Sequence, residues 1–163
     1  MNAKDAIRYS MQLSDQVFKS YLSDFDDGEI MNRPGEGCNH IAWQLGHLIS
    51  SEVHLLQQAC PGQGIELPDG FAEAHSKEQV GCDDQTKFHS LGEYLELYDQ
   101  ARAASAKALD AMSDDQLSAA GPEAMREFCP TVGSLFTLIA THPMMHAGQI
   151  VPIRRRLNKP ILF

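Results

Sequence analysis

The sequence predicts an all-α protein, a four-helix bundle whose second and third helices are joined by a long crossover. Apolar residues recur with a period close to 3.6 in four stretches of about 20 residues each. No stretch shows the alternation of apolar and polar residues that is typical of a β-strand. The connection at residues 61–89 is 29 residues long. A connection of that length is unusual in a compact domain and favours a crossover over a simple up-down-up-down arrangement.

Turn-forming residues separate the first two predicted helices. The first helix is expected over residues 2–23, before the turn Asp26-Asp27-Gly28. The second is expected over residues 40–60, because Asn39 is a suitable N-cap and Pro61 with the glycine after it ends the periodic stretch.

Capping residues mark the remaining helices. Ser90 and Glu93 form a capping-box pattern, from which the third helix is expected to run to about Met112. Residues 113–116 are expected to form one short extra turn. The fourth helix is expected over residues 131–157, where an asparagine and a proline follow it.

Length and composition indicate one domain that spans residues 1–163. Hydrophobic residues make up 43% of the 163, which is typical of a folded globular chain and not of a disordered one. The formal net charge of −9 repels a phosphate backbone, so no nucleic-acid partner is expected. The one basic run, at residues 154–156, is expected to complement the dipole at the end of the fourth helix.

Three observations bear on the cellular compartment. The first ten residues have charged side chains and no apolar core of a signal peptide, so a cytoplasmic location is expected. Residues 129–153 lack charged side chains, but their two histidines and three prolines favour a buried helix of a soluble protein, and no membrane partner is expected. The four cysteines form no C-x-x-C pair and are expected to be free thiols.

Two histidines share one face of the fourth predicted helix. His142 and His146 are spaced i, i+4, which places their side chains roughly 6 Å apart. Apolar residues occupy the same face, so both imidazoles should point toward the core. Buried imidazoles need partners for their nitrogens, and either a divalent metal or neighbouring carboxylates and backbone groups would supply them. The spacing alone does not choose between these two interpretations.

Three more histidines recur every seven residues on the second predicted helix, at His40, His47 and His54. Each step covers roughly 10.5 Å along the helix axis, so no two of them can bind the same metal. They lie beside Trp43 and Ser50, away from the apolar arc of the helix. This flank is either a solvated face or the wall of a cleft that faces the fourth helix. In the second case one of these histidines completes a three-histidine site with open coordination positions.

Absent catalytic motifs limit the reaction types that are expected, and three residues near the paired histidines have expected structural roles. The segment after His142 has no carboxylate, so the H-E-x-x-H motif of zinc peptidases is absent, as are the common hydrolase and nucleotide motifs. Pro143 lies inside the predicted helix, where it should cause a kink and free the carbonyl of about Ile139 for a water or a side chain. Gly148 is expected to allow close approach of another helix, and Gln149 to bond across the bundle.

Two segments taken together resemble the motifs of the DinB-like superfamily. The first is NHIAWQLGHL at residues 39–48, and the second is HPMMHAGQI at residues 142–150, followed by RRRL at 154–157. The resemblance implies a four-helix bundle with a long crossover, usually a homodimer. It also implies a divalent metal, nickel or zinc, held by His47, His142 and His146. The resemblance thus selects His47, where helical periodicity left three histidines open.

The resemblance further implies an enzyme with a small-molecule substrate. Characterised members include metal-dependent transferases and isomerases that use low-molecular-weight thiols such as bacillithiol, mycothiol or glutathione. We therefore expect addition or transfer of such a thiol to a small electrophile, in a cleft formed by Trp43, His40, Ser50 and His54. No catalytic residue is assigned, although His54 is a candidate base. A hydrolase that uses metal-bound water and a non-enzymatic metal-binding or interaction module remain the alternatives.

Overall fold

The computed structural model describes residues 1–162, and their regular structure is helical, which confirms the all-α prediction. Four long helices carry most of the chain: α1 (Ala3–Leu22), α2 (Ile41–Ala59), α4 (Leu91–Ala111) and α6 (Val132–Arg156). Two short ones stand between them: α3 (Phe71–Ala74) and α5 (Asp114–Ser118). Single 3₁₀ turns occur at Glu29–Met31, Lys77–Gln79, Gln85–Lys87 and Glu123–Met125.

Side-chain caps fix the starts of the four long helices close to the predicted positions. Ser90 and Glu93 form the predicted capping box at the start of α4. At the start of α2 the prediction was wrong, because the N-cap is His40 and not Asn39. The imidazole Nδ1 of His40 accepts a hydrogen bond of 2.9 Å from the backbone N–H of Trp43. An imidazole nitrogen thus does what an Asn or Ser oxygen does at most helix starts.

The long helices pack around two clusters of buried apolar side chains. One cluster joins the second half of α1 and the first halves of α2 and α4 to the end of α6. The other joins the opposite halves of the same four helices. The first halves of α2 and α4 therefore lie together, as a crossover connection requires. This parallel arrangement of α2 and α4 supports the crossover, which remains a prediction.

The basic run lies in the last turn of α6, the position from which it is expected to complement the helix dipole. Arg154 is fully buried and binds both carboxylate oxygens of Asp24, at 2.6 and 2.9 Å. Arg156 donates to the carbonyls of Arg33 and Pro34. Two of the three guanidinium groups are thus bound to other parts of the chain.

Two further predictions concern the cysteines and the membrane. All four cysteines, at positions 38, 60, 82 and 129, are free thiols, as expected. In residues 1–162 no helix combines the length and the apolar character that crossing a membrane requires.

Candidate metal centre

Three histidines from two helices converge at one point. His47 lies in α2, and His142 and His146 lie one turn apart in α6. One nitrogen from each ring lies within 4.8 Å of the other two. The ring centroids are 5.4 Å apart for His47 and His142, and 5.5 Å apart for His47 and His146. Such a cluster can hold a metal ion, and three protein ligands leave coordination positions open.

The surroundings of this cluster favour neutral imidazoles, the form that binds metals. Burial, with a smaller contribution from the neighbouring imidazoles, lowers the pKa of His146 to about 3 and that of His142 to about 4. Burial also lowers the pKa of His47, with a smaller contribution from the charge of Lys77. The lone pairs are therefore free of protons at neutral pH, so the residues present fit a divalent metal.

Gln44 holds one of the three rings in a defined orientation. It is fully buried in α2, and its Oε1 lies 3.0 Å from Nδ1 of His146. The amide nitrogen of Gln44 donates to the carbonyl of Asn39 at 2.9 Å, which leaves the oxygen facing the imidazole. His146 therefore donates from Nδ1, and its Nε2 remains for a ligand bond.

Trp43 fixes the orientation of a second ring. Its indole stacks on His47, with ring centroids 4.9 Å apart and planes inclined by 6°. The indole Nε1 donates to the carbonyl of Ser76, at 3.1 Å. The tryptophan is thus held between α2 and the long connection that follows it, and it supports His47 from the side.

The long connection covers the first half of α2. The ring of His75 lies against Gly46, so close that a Cβ on that glycine would come within 2.0 Å of the imidazole. Nε2 of His40 donates to the carbonyl of Cys82 at 3.0 Å, and His40 is fully buried. The face of α2 that carries these histidines is therefore neither exposed to solvent along its whole length nor a cleft wall along its whole length. His40 is buried, His47 is half-buried and His54 is exposed.

A cavity of about 440 Å³ opens beside the three-histidine cluster. His47 and His142 line it together with His54, Ser51, Leu55, Met125, Phe128, Leu138 and Met145. Of the four residues predicted to form a cleft, the described lining includes His54 alone. Trp43 and His40 are buried beneath the long connection. Ser50 is half-buried and does not line the cavity, whereas its neighbour Ser51 does.

Sequence reasoning missed Gln44 and His75 as parts of this site. Gln44 gave one usable signal, because it is a polar residue on the face of α2 that carries Ile41, Leu45 and Leu48, a face that it shares with Glu52. His75 gave none, since the long connection has no periodic pattern. The expected roles of Gly148 and Gln149 were wrong: both are exposed, and a Cβ on Gly148 would meet nothing within 4 Å.

Comparison with known proteins places these elements in one family. A sequence model of the DinB superfamily matches residues 11–150, which contain α2 and all three clustered histidines. The chain belongs to the DinB superfamily. No curated protein and no solved structure matches it. In this DinB-superfamily protein, the histidine cluster is a possible metal site in the region that the family model covers.

Proposed function

We propose that the protein is a metal-dependent enzyme that adds or transfers a low-molecular-weight thiol to a small electrophile. The convergence of His47, His142 and His146 beside a cavity carries this proposal. These three side chains would hold a divalent metal, zinc or nickel. A metal there would lower the pKa of a thiol and so supply the nucleophile at neutral pH.

The walls of the cavity indicate the character of the electrophile. Apart from the histidines and Ser51, the lining is aliphatic, aromatic or thioether: Leu55, Met125, Phe128, Leu138 and Met145. Such walls bind an apolar molecule. His54 is exposed at the same cavity, where it can take up a proton that the thiol releases.

The same lining favours a thiol over water as the nucleophile. Among the described residues around the cavity there is no carboxylate that could serve as a general base. A thiol has a pKa of about 8.5, whereas that of water is about 15.7, so a thiol needs less help to lose its proton. Hydrolysis by metal-activated water is therefore the second candidate.

The proposed enzyme acts as a homodimer. Apolar side chains are exposed on neighbouring turns of α1 and α6, at Leu13, Met144 and Met145. These helices pack along each other, so the exposed side chains form one continuous surface that a second copy can cover.

The first experiment measures metal content by elemental mass spectrometry on protein purified without a histidine tag. We expect close to one divalent metal per wild-type chain and almost none in His146→Ala. His54→Ala is the matched control, because it removes an exposed histidine from the same cavity without touching the cluster. This variant should retain the metal.

The second step tests the reaction with the metal-loaded protein. Glutathione and bacillithiol are offered with an aromatic halide, so that a carbon–sulfur bond forms while halide leaves and the thiol proton goes to solvent. We expect turnover in the wild type and none in His146→Ala. Equal rates in the two proteins would refute the proposal. Ester cleavage without thiol would favour the hydrolase, and metal binding without any turnover the non-enzymatic module.

A further inference from the structure

Pro143 leaves one backbone carbonyl of α6 without its helical partner. A proline has no N–H, so the carbonyl four residues earlier, that of Ile139, loses the bond it would otherwise accept. Ile139 is only 1% exposed, so its carbonyl needs a partner inside the protein. That partner is Arg102 of α4, whose Nη1 donates to the Ile139 oxygen at 2.9 Å. Of the two partners expected for this carbonyl, a water or a side chain, the protein thus supplies a side chain.

The guanidinium of Arg102 joins all four long helices. Its Nη1 also donates to Oε2 of Glu52 in α2, at 3.1 Å. Its Nη2 donates to the carbonyl of Met11 in α1 at 3.0 Å and approaches the hydroxyl of Ser14 at 3.4 Å. The side chains of Arg102 and Glu52 are 8% and 6% exposed, so little solvent competes for these bonds.

These contacts lie close to the histidine cluster along both ligand-bearing helices. Glu52 follows His47 by five residues in α2, or about 7.5 Å along the axis. Ile139 precedes His142 by three residues in α6, or about 4.5 Å. One nitrogen atom, Nη1 of Arg102, therefore holds α2 and α6 at a fixed separation within two turns of the cluster.

We propose that Arg102 is a positioning residue for the metal centre. By binding Glu52 and the Ile139 carbonyl together, it sets the spacing of the two ligand-bearing helices and the course of α6 through Pro143. It thereby sets the direction of His142 and His146 relative to His47. The inference rests on the proposed metal site. Lysine cannot take over this role, because a single ammonium lacks the planar array of donors that reaches four groups at once.

Cobalt(II) reports on this geometry, since its visible absorption depends on the number and arrangement of its ligands. The variants are Arg102→Lys, Arg102→Met and Pro143→Ala. Leu109→Ala is the matched control: it removes a fully buried side chain from the same helix, seven residues after Arg102. Each protein is titrated with cobalt(II), and its metal-free form is melted under circular dichroism.

We expect Arg102→Lys and Arg102→Met to bind cobalt(II) at least 10-fold more weakly than the wild type and with shifted absorption bands. Leu109→Ala should melt at a lower temperature but keep the wild-type spectrum. Pro143→Ala restores an N–H to the Ile139 carbonyl and should itself shift the bands. In a protein that already carries Pro143→Ala, Arg102→Lys should change the cobalt(II) spectrum less than it does in the wild type.

The outcomes separate this inference from the proposed function. Arg102 variants that melt earlier but keep the wild-type affinity and spectrum would show a purely structural role and overturn the inference alone. If neither Arg102 variant folds, a wild-type spectrum in Pro143→Ala would overturn it equally. A wild-type protein that takes up no cobalt(II) would overturn the metal site, and the positioning role with it.

Discussion

Oε1 of Gln44 lies 3.0 Å from Nδ1 of His146 and is the acceptor that faces this ring from α2. The bond assigns the tautomer of an imidazole that burial keeps neutral, with a pKa of about 3. Since Gln44 is itself held by the carbonyl of Asn39, the pair is a preformed support for the proposed ligand and not a contact that the metal would have to create.

Removing this support should weaken metal binding without emptying the site. In Gln44→Met the side chain keeps a similar length but loses its acceptor, so His146 can rotate and change tautomer. We expect the affinity for zinc to fall by about 10- to 100-fold, the usual effect of losing a group that orients a ligand. Competition with a chromophoric chelator measures the affinity.

Two further variants make this result specific. Gln44→Glu retains an acceptor oxygen and should lose much less affinity than Gln44→Met. Gln149→Met makes the same change at an exposed position of α6 and should behave like the wild type. Equal affinities in Gln44→Met and the wild type would show that Gln44 does not orient the ring.

Gly46 and Gly148 lie within long helices and should respond to alanine in opposite ways. Helix propensity alone predicts that either replacement stabilises the protein, by about 0.5–1 kcal/mol. At Gly46 the new Cβ would lie 2.0 Å from the buried ring of His75, which cannot move into solvent. We expect Gly46→Ala to lower the free energy of unfolding by about 2–3 kcal/mol.

Gly148→Ala is the control, because a Cβ there meets nothing within 4 Å. It should raise the free energy of unfolding by about 0.5–1 kcal/mol. Urea denaturation of both variants gives the two values. If Gly46→Ala is as stable as Gly148→Ala, the long connection does not press His75 against α2 in solution.

Local signals in the sequence were enough to predict the long helices. The capping box of Ser90 and Glu93 marks the start of α4 through bonds within four residues, and the bond from the Leu91 N–H to Asp27 adds to it. The pairing of His142 with His146 is equally local, because the pitch of one helix places both on one face. Such features can be read from a single sequence.

Features that depend on the long connection could not be predicted in this way. His40, His47 and His54 are equivalent by periodicity, but residues 75–82 cover His40, and α6 brings two further histidines to His47. Gly46 and Gly148 also look alike in sequence, yet of these two only Gly46 is approached by another side chain. Both distinctions arise from tertiary contacts that have no periodic signal in the sequence.

His75 should make stability depend on pH. Its Nδ1–H donates to the carbonyl of Phe71, and its Nε2 accepts from the hydroxyl of Tyr94, both at 2.7 Å. Burial lowers its pKa from 6.5 to about 4, so below pH 6.5 the unfolded chain takes up a proton that the folded chain refuses. The stabilisation is complete above pH 6.5 and is lost as the pH falls toward 4. The loss amounts to about 1.4 kcal/mol per pH unit and reaches about 3 kcal/mol.

The measurement is urea denaturation of the metal-free protein between pH 4.5 and 7.5. The clustered histidines add to the slope of the wild type, so the contribution of His75 is the difference between wild type and His75→Gln. We expect this variant to be less stable at pH 7 but to have a slope near pH 5 that is smaller by about 1.4 kcal/mol per unit. A slope in His75→Gln equal to that of the wild type would mean that the imidazole already carries a proton, or is not buried, in the folded protein.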